Sequence, residues 1–372
     1  MNWSNITSLH LEISALCNAV CPQCARYPAA SYYSHPNISH DHVWSIDNVR
    51  KRLPLEDLAN IKHYLLNGTV GDFITNKDAL EIIKHFKQAT PSASILINTN
   101  GSARSIDWWQ ELAKITNVKV NFALDGLEDT HYLYRRNTNW QQIINNAKSY
   151  IQAGGDAEWT MTIFKHNQHQ IDDCKQLASE LGFNNFYARH SDRTIVPARD
   201  KGGNFTHWLE PADGTPVTGV NREELYKLER KELNFKNGVK FKTTPIHNNI
   251  PLPSLDNCDS IRYKSIYIGG NWSVAPCCFL GAISFTKESD YRYENFYNAL
   301  TDAGLTMDDL VASDSLTVKA IIDRGFDWIY NRITTDQALT ACAHHCHPDK
   351  SNFRVSRDNV LTSTLHLIVK DV

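Results

Sequence analysis

The chain of 372 residues lacks the features that mark several classes of protein. No apolar run approaches the roughly 18 residues needed to cross a bilayer, and residues 1–5 have neither the basic start nor the apolar stretch of an export signal. Lys and Arg form no long block, and the net charge is −3, which argues against a surface built mainly for nucleic acid. These absences predict a cytoplasmic protein with no membrane segment, and they disfavour nucleic acid as a partner.

Cysteine usage gives a further exclusion. The nine cysteines are an odd number in a chain with no export signal, so a disulfide framework is not expected, and metal ligation or simple burial is favoured. A composition of 42% hydrophobic and 21% charged residues is typical of a soluble globular protein,. The length suits one large domain or two ordinary ones.

Three cysteines fall within eight residues, in the run Cys17-Asn18-Ala19-Val20-Cys21-Pro22-Gln23-Cys24. An iron–sulfur cubane has four irons held by thiolates, so a loop that supplies three sulfurs leaves one iron open to a small molecule. The alternative is a structural zinc site, which needs a fourth Cys or His. His10 and His35 are the nearby histidines, and neither has zinc-ligand spacing.

The C-x3-C-x2-C spacing, placed directly after the predicted strand 9–13, resembles the radical S-adenosylmethionine superfamily. In that family the methionine amine and carboxylate chelate the fourth iron, and electron transfer gives a 5′-deoxyadenosyl radical that takes a hydrogen atom from the substrate. The resemblance therefore implies S-adenosylmethionine and a [4Fe–4S] cluster on Cys17, Cys21 and Cys24. Gln23 is a departure, because the family usually has an aromatic residue there that packs near the adenine.

Alternating strands and helices predict an α/β fold. Helical periodicity covers 55–62, 78–86, 106–114, 140–153 and 168–181, and strand patterns cover 9–13, 64–70, 94–97, 118–124, 158–164 and 184–188,. Six such units predict parallel strands in an open barrel, and the resembled family shares a partial (β/α)6 barrel.

The alternation stops after about residue 195, which predicts three regions. We expect the barrel over 1–195 and a linker over 196–255 with a charged helix near 222–233. A small α+β, cysteine-rich domain is expected over 256–372. That last region contains a predicted hairpin around Gly269-Gly270-Asn271 and a predicted helix over 316–333,.

Four further cysteines, Cys258, Cys277, Cys342 and Cys346, have a spacing that resembles the twitch domain, the short form of the SPASM extension. The resemblance implies that they hold a second, auxiliary [4Fe–4S] cluster. The alternative is a structural zinc site in which His344, His345 or His347 replaces a cysteine. Cys278 is then a spare thiol, either buried filler or a hydrogen-atom donor to a substrate radical.

Strand ends of the predicted barrel carry candidate cofactor residues. In the resembled family a Gly-Gly-Glu-Pro segment after the second strand receives the methionine ammonium, and here Gly71-Asp72 occupies that place. An arginine ten residues after the Asp of the fourth strand grips the methionine carboxylate, and Arg135 stands there, although Ala123 replaces the family serine. The predicted cofactor-binding set is Gly71, Asp72, Asn98, Asn100, Asp125 and Arg135. The alternatives are an ordinary turn with a capping Asp and a solvated surface arginine.

The sixth strand runs into a polar cluster from which Arg189, His190 and Asp192 are candidate substrate contacts,; strand capping is the alternative. The expected reaction is an oxidation of a ribosomally made peptide or of a sugar-like or nucleotide-like metabolite, with a flavodoxin or ferredoxin as electron donor. A zinc-stabilised binding protein without catalytic activity is the alternative function.

Overall fold

The computed structural model describes residues 2–27, 32–190, 195–213, 254–285, 291–335, 338–339, 341–342 and 346. The strands are β1 (Ser8–Leu11), β2 (His63–Leu66), β3 (Ser94–Thr99), β4 (Val118–Ala123), β5 (Asp156–Ile163), β6 (Asn185–His190), β7 (Val196–Arg199), β8 (Phe205–Leu209), β9 (Ser265–Ile268) and β10 (Val274–Ala275). The helices are α1 (Ile46–Arg52), α2 (Ala79–Ala89), α3 (Ile106–Ala113), α4 (Glu128–Tyr134), α5 (Trp140–Gln152), α6 (Ile171–Leu181), α7 (Asp259–Arg262), α8 (Cys278–Gly281), α9 (Tyr291–Asp302), α10 (Val318–Arg324) and α11 (Asp327–Tyr330).

Eight of these strands form one sheet in the order β10-β9-β1-β2-β3-β4-β5-β6. Strands β1 to β6 run parallel in sequence order, with helices in most of the connections between them. Strand β9 runs parallel to β1 on its other side, and β10 runs antiparallel to β9. The predicted α/β class and its six consecutive parallel strands are therefore confirmed.

Short polar residues begin several helices. Ser45, Ser105 and Asn139 precede α1, α3 and α5, and each side chain accepts a hydrogen bond from the backbone N–H three residues later. These bonds satisfy N–H groups that the first helical turn leaves without an intrahelical partner. Behind such caps the apolar side of a helix packs on the sheet, as Ile82 and Phe86 of α2 do.

The two faces of the sheet differ in chemistry because side chains alternate along a strand. One face carries residues such as Leu9, Ile97 and Trp159, which belong to the main hydrophobic core. The opposite face, which we call the polar face, carries residues at the intervening positions of the strands: Ser8, His10, Asn98, Lys119, Asn121, Glu158, Thr160, Tyr187, Arg189 and Tyr267. The sheet thus separates an apolar core on one side from polar and charged side chains on the other.

The predicted hairpin around residues 269–271 is present, but it does not form a separate sheet. Its first strand, β9, pairs with β1 from Ser8↔Ser265 to Leu11↔Ile268. Stacking reinforces this junction, since the Trp44 and Trp272 rings lie 3.9 Å apart and nearly parallel, and Trp44 Nε1 donates to the Gly269 carbonyl. The cysteine-rich region therefore extends the main sheet at the β1 edge.

Some predicted helix boundaries were wrong. Helix α1 lies outside the helices predicted from the sequence, whereas the helix predicted over 55–62 contains only the 3-10 helix Asp57–Asn60. Pro54 accounts for the break, because the residue before a proline avoids helical backbone angles; Leu53 has φ −133° and ψ 66°. The helix predicted over 316–333 is divided into α10 and α11 at Gly325, which has φ +84°.

The segment that follows the sixth strand contains a hairpin that the sequence did not reveal. Strands β7 and β8 pair antiparallel with an irregularity at Ala198 and Arg199. Val196 and Leu209 pack in the small apolar cluster that includes Cys17, Cys21 and Cys24. The start of the predicted linker thus covers the cysteine loop, while the helix predicted over 222–233 lies outside the described residues. In the described part of the chain, no helix has both the length and the apolar character of a membrane span.

The β9 pairing makes a direct prediction about stability. Ile266 is 0% exposed in the middle of β9, opposite Leu9, so we expect Ile266→Ala to lower the free energy of unfolding by about 2–5 kcal/mol. Ile106→Ala is the control, since Ile106 is 41% exposed, and its effect should stay within about 0.5 kcal/mol. Denaturant unfolding followed by circular dichroism measures both. Equal small effects would contradict the placement of β9 in the core.

Candidate active site

The three clustered cysteines lie on a loop that leaves the end of β1 and enters the edge of the sheet where the parallel strands end. Each sulfur has a nitrogen donor from a different segment. Asn100 Nδ2 lies 3.6 Å from Cys17 Sγ, Arg135 Nη1 lies 3.8 Å from Cys21 Sγ, and the Arg26 backbone N lies 3.5 Å from Cys24 Sγ. The structure thus brings the three predicted ligands together, and each sulfur faces one N–H donor.

Burial makes these thiols poor acids. Burial raises the pKa of the Cys21 thiol to about 11, and the Arg135 charge opposes this rise. Burial, and secondly the charge of Asp72, raise the pKa of Cys17 well above its ordinary value. Without a bound cation the Cys17 and Cys21 thiols stay protonated near neutral pH, whereas a metal centre would deprotonate and hold them. The donor set therefore fits a metal centre with thiolate ligands.

Backbone contacts hold the cysteine loop in place. Val20 and Arg136 are joined twice, through the Val20 N–H to the Arg136 carbonyl and through Arg136 Nε to the Val20 carbonyl, both at 2.9 Å. The Asn137 side chain donates to the Asn18 carbonyl at 2.6 Å, and the Tyr27 hydroxyl donates to the Ala19 carbonyl at 2.7 Å. The loop is thus fixed at several points, which limits how far its sulfurs can move.

Arg135 is oriented by the buried Asp125, which lies at the end of β4. Arg135 Nε donates to Asp125 Oδ2 at 2.6 Å, and the other carboxylate oxygen accepts the Thr162 backbone N–H. Burial opposes the charge on Arg135, but Asp125 raises the pKa of the guanidinium well above its ordinary value. Two of the predicted cofactor residues therefore form one ion pair beside Cys21, in which Asp125 is fully buried and Arg135 is 20% exposed, so Arg135 is not a solvated surface arginine.

Asp72 is an internal hydrogen-bond acceptor. Its oxygens accept from the Thr99 hydroxyl at 2.7 Å, from the Asn100 N–H and Nδ2 at 2.8 Å each, and from the Ile74 N–H at 3.2 Å. Burial raises the pKa of Asp72 to about 6, although the Asn100 N–H opposes this. Asp72 therefore holds the Asn100 amide in position next to Cys17, and it also caps the 3-10 helix Phe73–Thr75.

Sequence reasoning missed Glu12, which follows β1 and is 0% exposed. Its carboxylate accepts the backbone N–H groups of Thr69, Val70 and Gly71 at 2.7–3.3 Å, together with Asn67 Nδ2 at 3.1 Å. Burial raises the pKa of Glu12 to about 7, and these N–H groups oppose the rise. The detectable signal was a charged residue at the end of an apolar strand, directly before the cysteine run.

Gly71 has a steric reason to be glycine. A Cβ atom there would lie 1.8 Å from the Ser14 carbonyl oxygen, so the loop after β2 can lie against the cysteine loop only without a side chain. Asn98, another predicted cofactor residue, lies on the polar face of β3, where its Oδ1 accepts from Asn121 Nδ2 at 2.9 Å. Asn98 thus takes part in the hydrogen bonds of the polar face. Gly71 allows the loop after β2 to contact the cysteine loop.

The second set of cysteines forms a separate group, which we call the four-thiol group: Cys258, Cys277, Cys342 and Cys346. A hydrogen bond with Cys346 lowers the pKa of Cys258 and raises that of Cys346. Burial raises the pKa of Cys277, and the charges of Cys278, Cys342 and Cys258 add to this effect. The structure therefore brings the four predicted ligands into one neighbourhood, next to β1 and β9.

The described side chains do not meet the needs of a site for a single metal ion. Among the residues that the structure describes, no three His, Cys, Asp or Glu side chains converge closely enough to bind a single metal ion. A [4Fe–4S] cubane distributes its four thiolates over its irons, so its ligands need not meet at one point. His344, His345 and His347, the alternative ligands, lie outside the described residues.

The predicted substrate residues do not lie together. Arg189 projects from β6 onto the polar face beside Tyr187, with its guanidinium 5.6 Å from the ring centre, and burial lowers the pKa of Arg189 to about 10. His190 is the next residue of the same strand, so it projects from the opposite face, and it is exposed. Asp192 lies outside the described residues.

Residues 11–181 match the model of the Radical SAM superfamily, whereas the chain has no match among curated proteins. A solved structure described as histidine-tagged anSMEcpe with bound AdoMet is 12% identical with a TM-score of 0.50, over 99% of this chain and 96% of that chain. Streptococcus suis SuiB bound to S-adenosylmethionine is 13% identical with a TM-score of 0.46, over 91% and 77%.

The matched segment contains the cysteine loop, Glu12, Asp72, Asp125 and Arg135. At 12% identity the likeness to anSMEcpe shows a shared fold. The family match thus spans strands β2 to β5, helices α1 to α6 and the candidate site.

Proposed function

We propose that the chain is a radical S-adenosylmethionine enzyme of the twitch or SPASM type, with two [4Fe–4S] clusters, that oxidises a peptide or a small polar substrate. The observation that carries this proposal is the arrangement of Cys17, Cys21 and Cys24, in which each sulfur lies within 3.8 Å of its own nitrogen donor. Hydrogen bonds to the sulfurs stabilise the negative charge of a thiolate-bound cluster and adjust its reduction potential.

Cys17, Cys21 and Cys24 would hold the first cluster. When bound, this cluster supplies the electron that cleaves S-adenosylmethionine to the 5′-deoxyadenosyl radical. The protein contributes fixed positions, since the paired backbone contacts of Val20 and Arg136 hold the loop rigidly. It also limits access of water, because Leu209 of β8 is fully buried against the cysteines.

Arg135 would bind the methionine carboxylate. A guanidinium matches a carboxylate because both groups are planar and can form two parallel hydrogen bonds. Asp125 engages Nε at 2.6 Å, and the Nη1 side of the guanidinium lies next to Cys21. A carboxylate bound on that side would sit beside the sulfur of the first cluster, as the proposed chelation requires.

The loop after β2 would bind the methionine ammonium. The Glu12 carboxylate accepts the backbone N–H groups of residues 69–71 and so fixes this loop. The Asp72 oxygens accept hydrogen bonds from Thr99, Asn100 and Ile74. Because the Asp72 carboxylate is already engaged, we assign it the role of positioning Asn100. The ammonium is then left to other acceptors of this loop.

The four-thiol group would hold the second cluster, and its completeness favours electron transfer over substrate binding. The substrate would lie against the polar face, where Arg189 is a candidate contact. His190 projects from the other face of β6, so only Arg189 of the two remains in this proposal. A flavodoxin or ferredoxin is the proposed electron donor.

Iron analysis tests the two centres. We expect anaerobically reconstituted protein to bind about eight irons, the sum of two cubanes, and to release 5′-deoxyadenosine from S-adenosylmethionine when dithionite is added. Replacing Cys17, Cys21 and Cys24 together by Ala should leave about four irons and abolish 5′-deoxyadenosine, because only the four-thiol group remains.

Cys174→Ala is the matched control for that experiment. Cys174 is buried in α6 within the main core, so its loss should change neither the iron content nor the cleavage. An unchanged iron content in the triple variant would contradict the assignment of the first cluster. Purified protein that contains zinc and releases no 5′-deoxyadenosine would instead favour a zinc-stabilised binding protein.

The role of Arg135 predicts a loss of affinity. Arg135→Lys keeps a charge but removes the planar pair of donors, so we expect the Kd for S-adenosylmethionine to rise about tenfold or more, which corresponds to about 1.4 kcal/mol or more. Equilibrium dialysis with reconstituted protein measures it. Arg50→Lys is the control, because Arg50 is an exposed residue of α1, and equal affinities of the two variants would argue against the carboxylate contact.

Glu12 predicts a pH dependence of stability. Its pKa is about 7 in the folded chain and near 4.3 in an unfolded one, so unfolding releases its proton between these values. The free energy of unfolding of the wild type, relative to Glu12→Gln, should therefore fall by about 3 kcal/mol as pH rises from about 4.5 to about 7. Above about pH 7 this difference between the two free energies of unfolding should stay constant.

Urea unfolding of both proteins across this pH range measures the difference. The titration of Asp72 contributes equally to both proteins, so it cancels in the difference between their free energies of unfolding. The neighbouring His10 stays neutral because burial lowers its pKa to about 4. Parallel curves for the two proteins would show that the Glu12 carboxyl does not titrate in this window.

A further inference from the structure

The side chains of Asn18, Asn100 and Ser102 form a closed ring of hydrogen bonds beside Cys17. Asn100 directly follows β3, and Asn18 directly follows Cys17 in the cysteine loop. Asn18 Nδ2 donates to Ser102 Oγ at 2.8 Å, and Ser102 Oγ donates to Asn100 Oδ1 at 2.7 Å. Asn100 Nδ2 completes the ring by donating to Asn18 Oδ1 at 2.9 Å. The ring therefore ties the end of β3 to the cysteine loop at its first cysteine.

The direction of these bonds determines which end of the Asn100 amide faces the sulfur. Its Oδ1 also accepts the Ser102 backbone N–H at 2.9 Å, so two donors hold the oxygen. Its Nδ2 donates to Asp72 Oδ2 at 2.8 Å, and an ionised carboxylate can only accept. A flipped amide would place its oxygen against that carboxylate and its NH2 group against the Ser102 N–H. The NH2 group is therefore the end that lies 3.6 Å from Cys17 Sγ.

The Asn100 amide has no hydrogen-bonding capacity left for S-adenosylmethionine. An asparagine side chain has two donor hydrogens and one oxygen that accepts twice. Ser102 uses the oxygen twice, and Asp72 and Asn18 use the two hydrogens. The Cys17 sulfur is close enough to share one of these hydrogens. This engagement separates Asn100 from residues that would bind the methionine.

A bound cluster would strengthen the contact between Asn100 and the sulfur. Hydrogen bonds to an ionised acceptor are shorter and stronger than those between neutral groups, and a cluster ligand is a thiolate. The other two sulfurs have different donors, since Cys21 faces the cationic Arg135 and Cys24 faces a backbone N–H. Asn100 is thus the neutral side-chain donor of the three, so its loss leaves the charge of the site unchanged.

We propose that Asn100 raises the reduction potential of the first cluster by donating a hydrogen bond to the Cys17 sulfur, with Asp72 as its positioning residue, and that Asn100 does not bind S-adenosylmethionine. This role rests on the proposed function, since it requires a cluster on Cys17, Cys21 and Cys24. A donated hydrogen bond stabilises the more negative, reduced state of a cluster, so its loss makes the cluster harder to reduce. Asn100 thereby leaves the predicted set of residues that bind S-adenosylmethionine.

The test measures the reduction potential of the first cluster and its affinity for S-adenosylmethionine separately. After anaerobic reconstitution, a redox titration followed by electron paramagnetic resonance gives the potential. The signal of the first cluster is the one that disappears when Cys17, Cys21 and Cys24 are replaced by Ala. Asn100→Ala should make this cluster about tenfold harder to reduce, which is about 59 mV for one electron. Pulsed measurements should lose the coupling of one exchangeable proton, while the Kd for S-adenosylmethionine should not change.

Asn100→Asp is a second variant, which keeps the shape of the side chain but replaces the NH2 donor by an oxygen, and it should shift the potential in the same direction. Asn146→Ala is the matched control. Asn146 is 2% exposed in α5, and its Nδ2 donates to the Gly101 and Ala103 carbonyls of the same loop. Its loss should loosen this loop without changing the potential or the proton coupling. Similar shifts in Asn100→Ala and Asn146→Ala would overturn the inference, because they would reflect movement of the loop.

The remaining outcomes separate the inference from the proposed function. A wild-type potential in both Asn100 variants overturns the inference alone. A higher Kd for S-adenosylmethionine without a shift in potential also overturns it, because Asn100 would then bind the methionine as the sequence predicted. Loss of the first cluster from both variants overturns it as well, because Asn100 would then serve assembly of the cluster. An iron content that does not fall when Cys17, Cys21 and Cys24 are replaced overturns the first cluster and the inference together.

Discussion

The double pairing of β1 is the constraint on which the rest of the structure depends. This strand hydrogen-bonds to β2 on one side and to β9 on the other, so its end is fixed between the barrel-like part and the cysteine-rich part. The cysteine loop leaves from that end, and Glu12 points into the loop after β2. One strand therefore sets the position of the first cysteine group relative to the second.

Buried carboxylates organise the site around this strand. Glu12, Asp72 and Asp125 are all nearly inaccessible to solvent, and burying a charge is unfavourable unless hydrogen bonds or a counter-charge compensate it. Glu12 is compensated by backbone N–H groups, Asp72 by Thr99 and Asn100, and Asp125 by Arg135. Each carboxylate thus fixes a different neighbour, and two of these neighbours, Asn100 and Arg135, reach the cysteine sulfurs.

The sequence predicted the parts of the fold that local patterns determine. Alternation of strands and helices identified six parallel strands, and cysteine spacing separated the two ligand groups. It could not predict that β9 joins β1, because that pairing links residues more than 250 positions apart in the chain and leaves no local pattern. The role of Glu12 could not be predicted for a similar reason, since it depends on the N–H groups of residues 69–71, which only the folded chain brings close.

The adjacent cysteines 277 and 278 mark the border between the two regions. Cys277 has extended backbone angles of φ −150° and ψ 166°, and successive side chains of an extended chain point to opposite sides. The charge of Cys278 acts on the pKa of the Cys277 thiol ahead of the charges of Cys342 and Cys258. Cys278, which begins α8, also acts on the pKa of Tyr267. The two adjacent thiols therefore lie close to each other at the junction of the four-thiol group with β9, and Cys277 stays the proposed ligand.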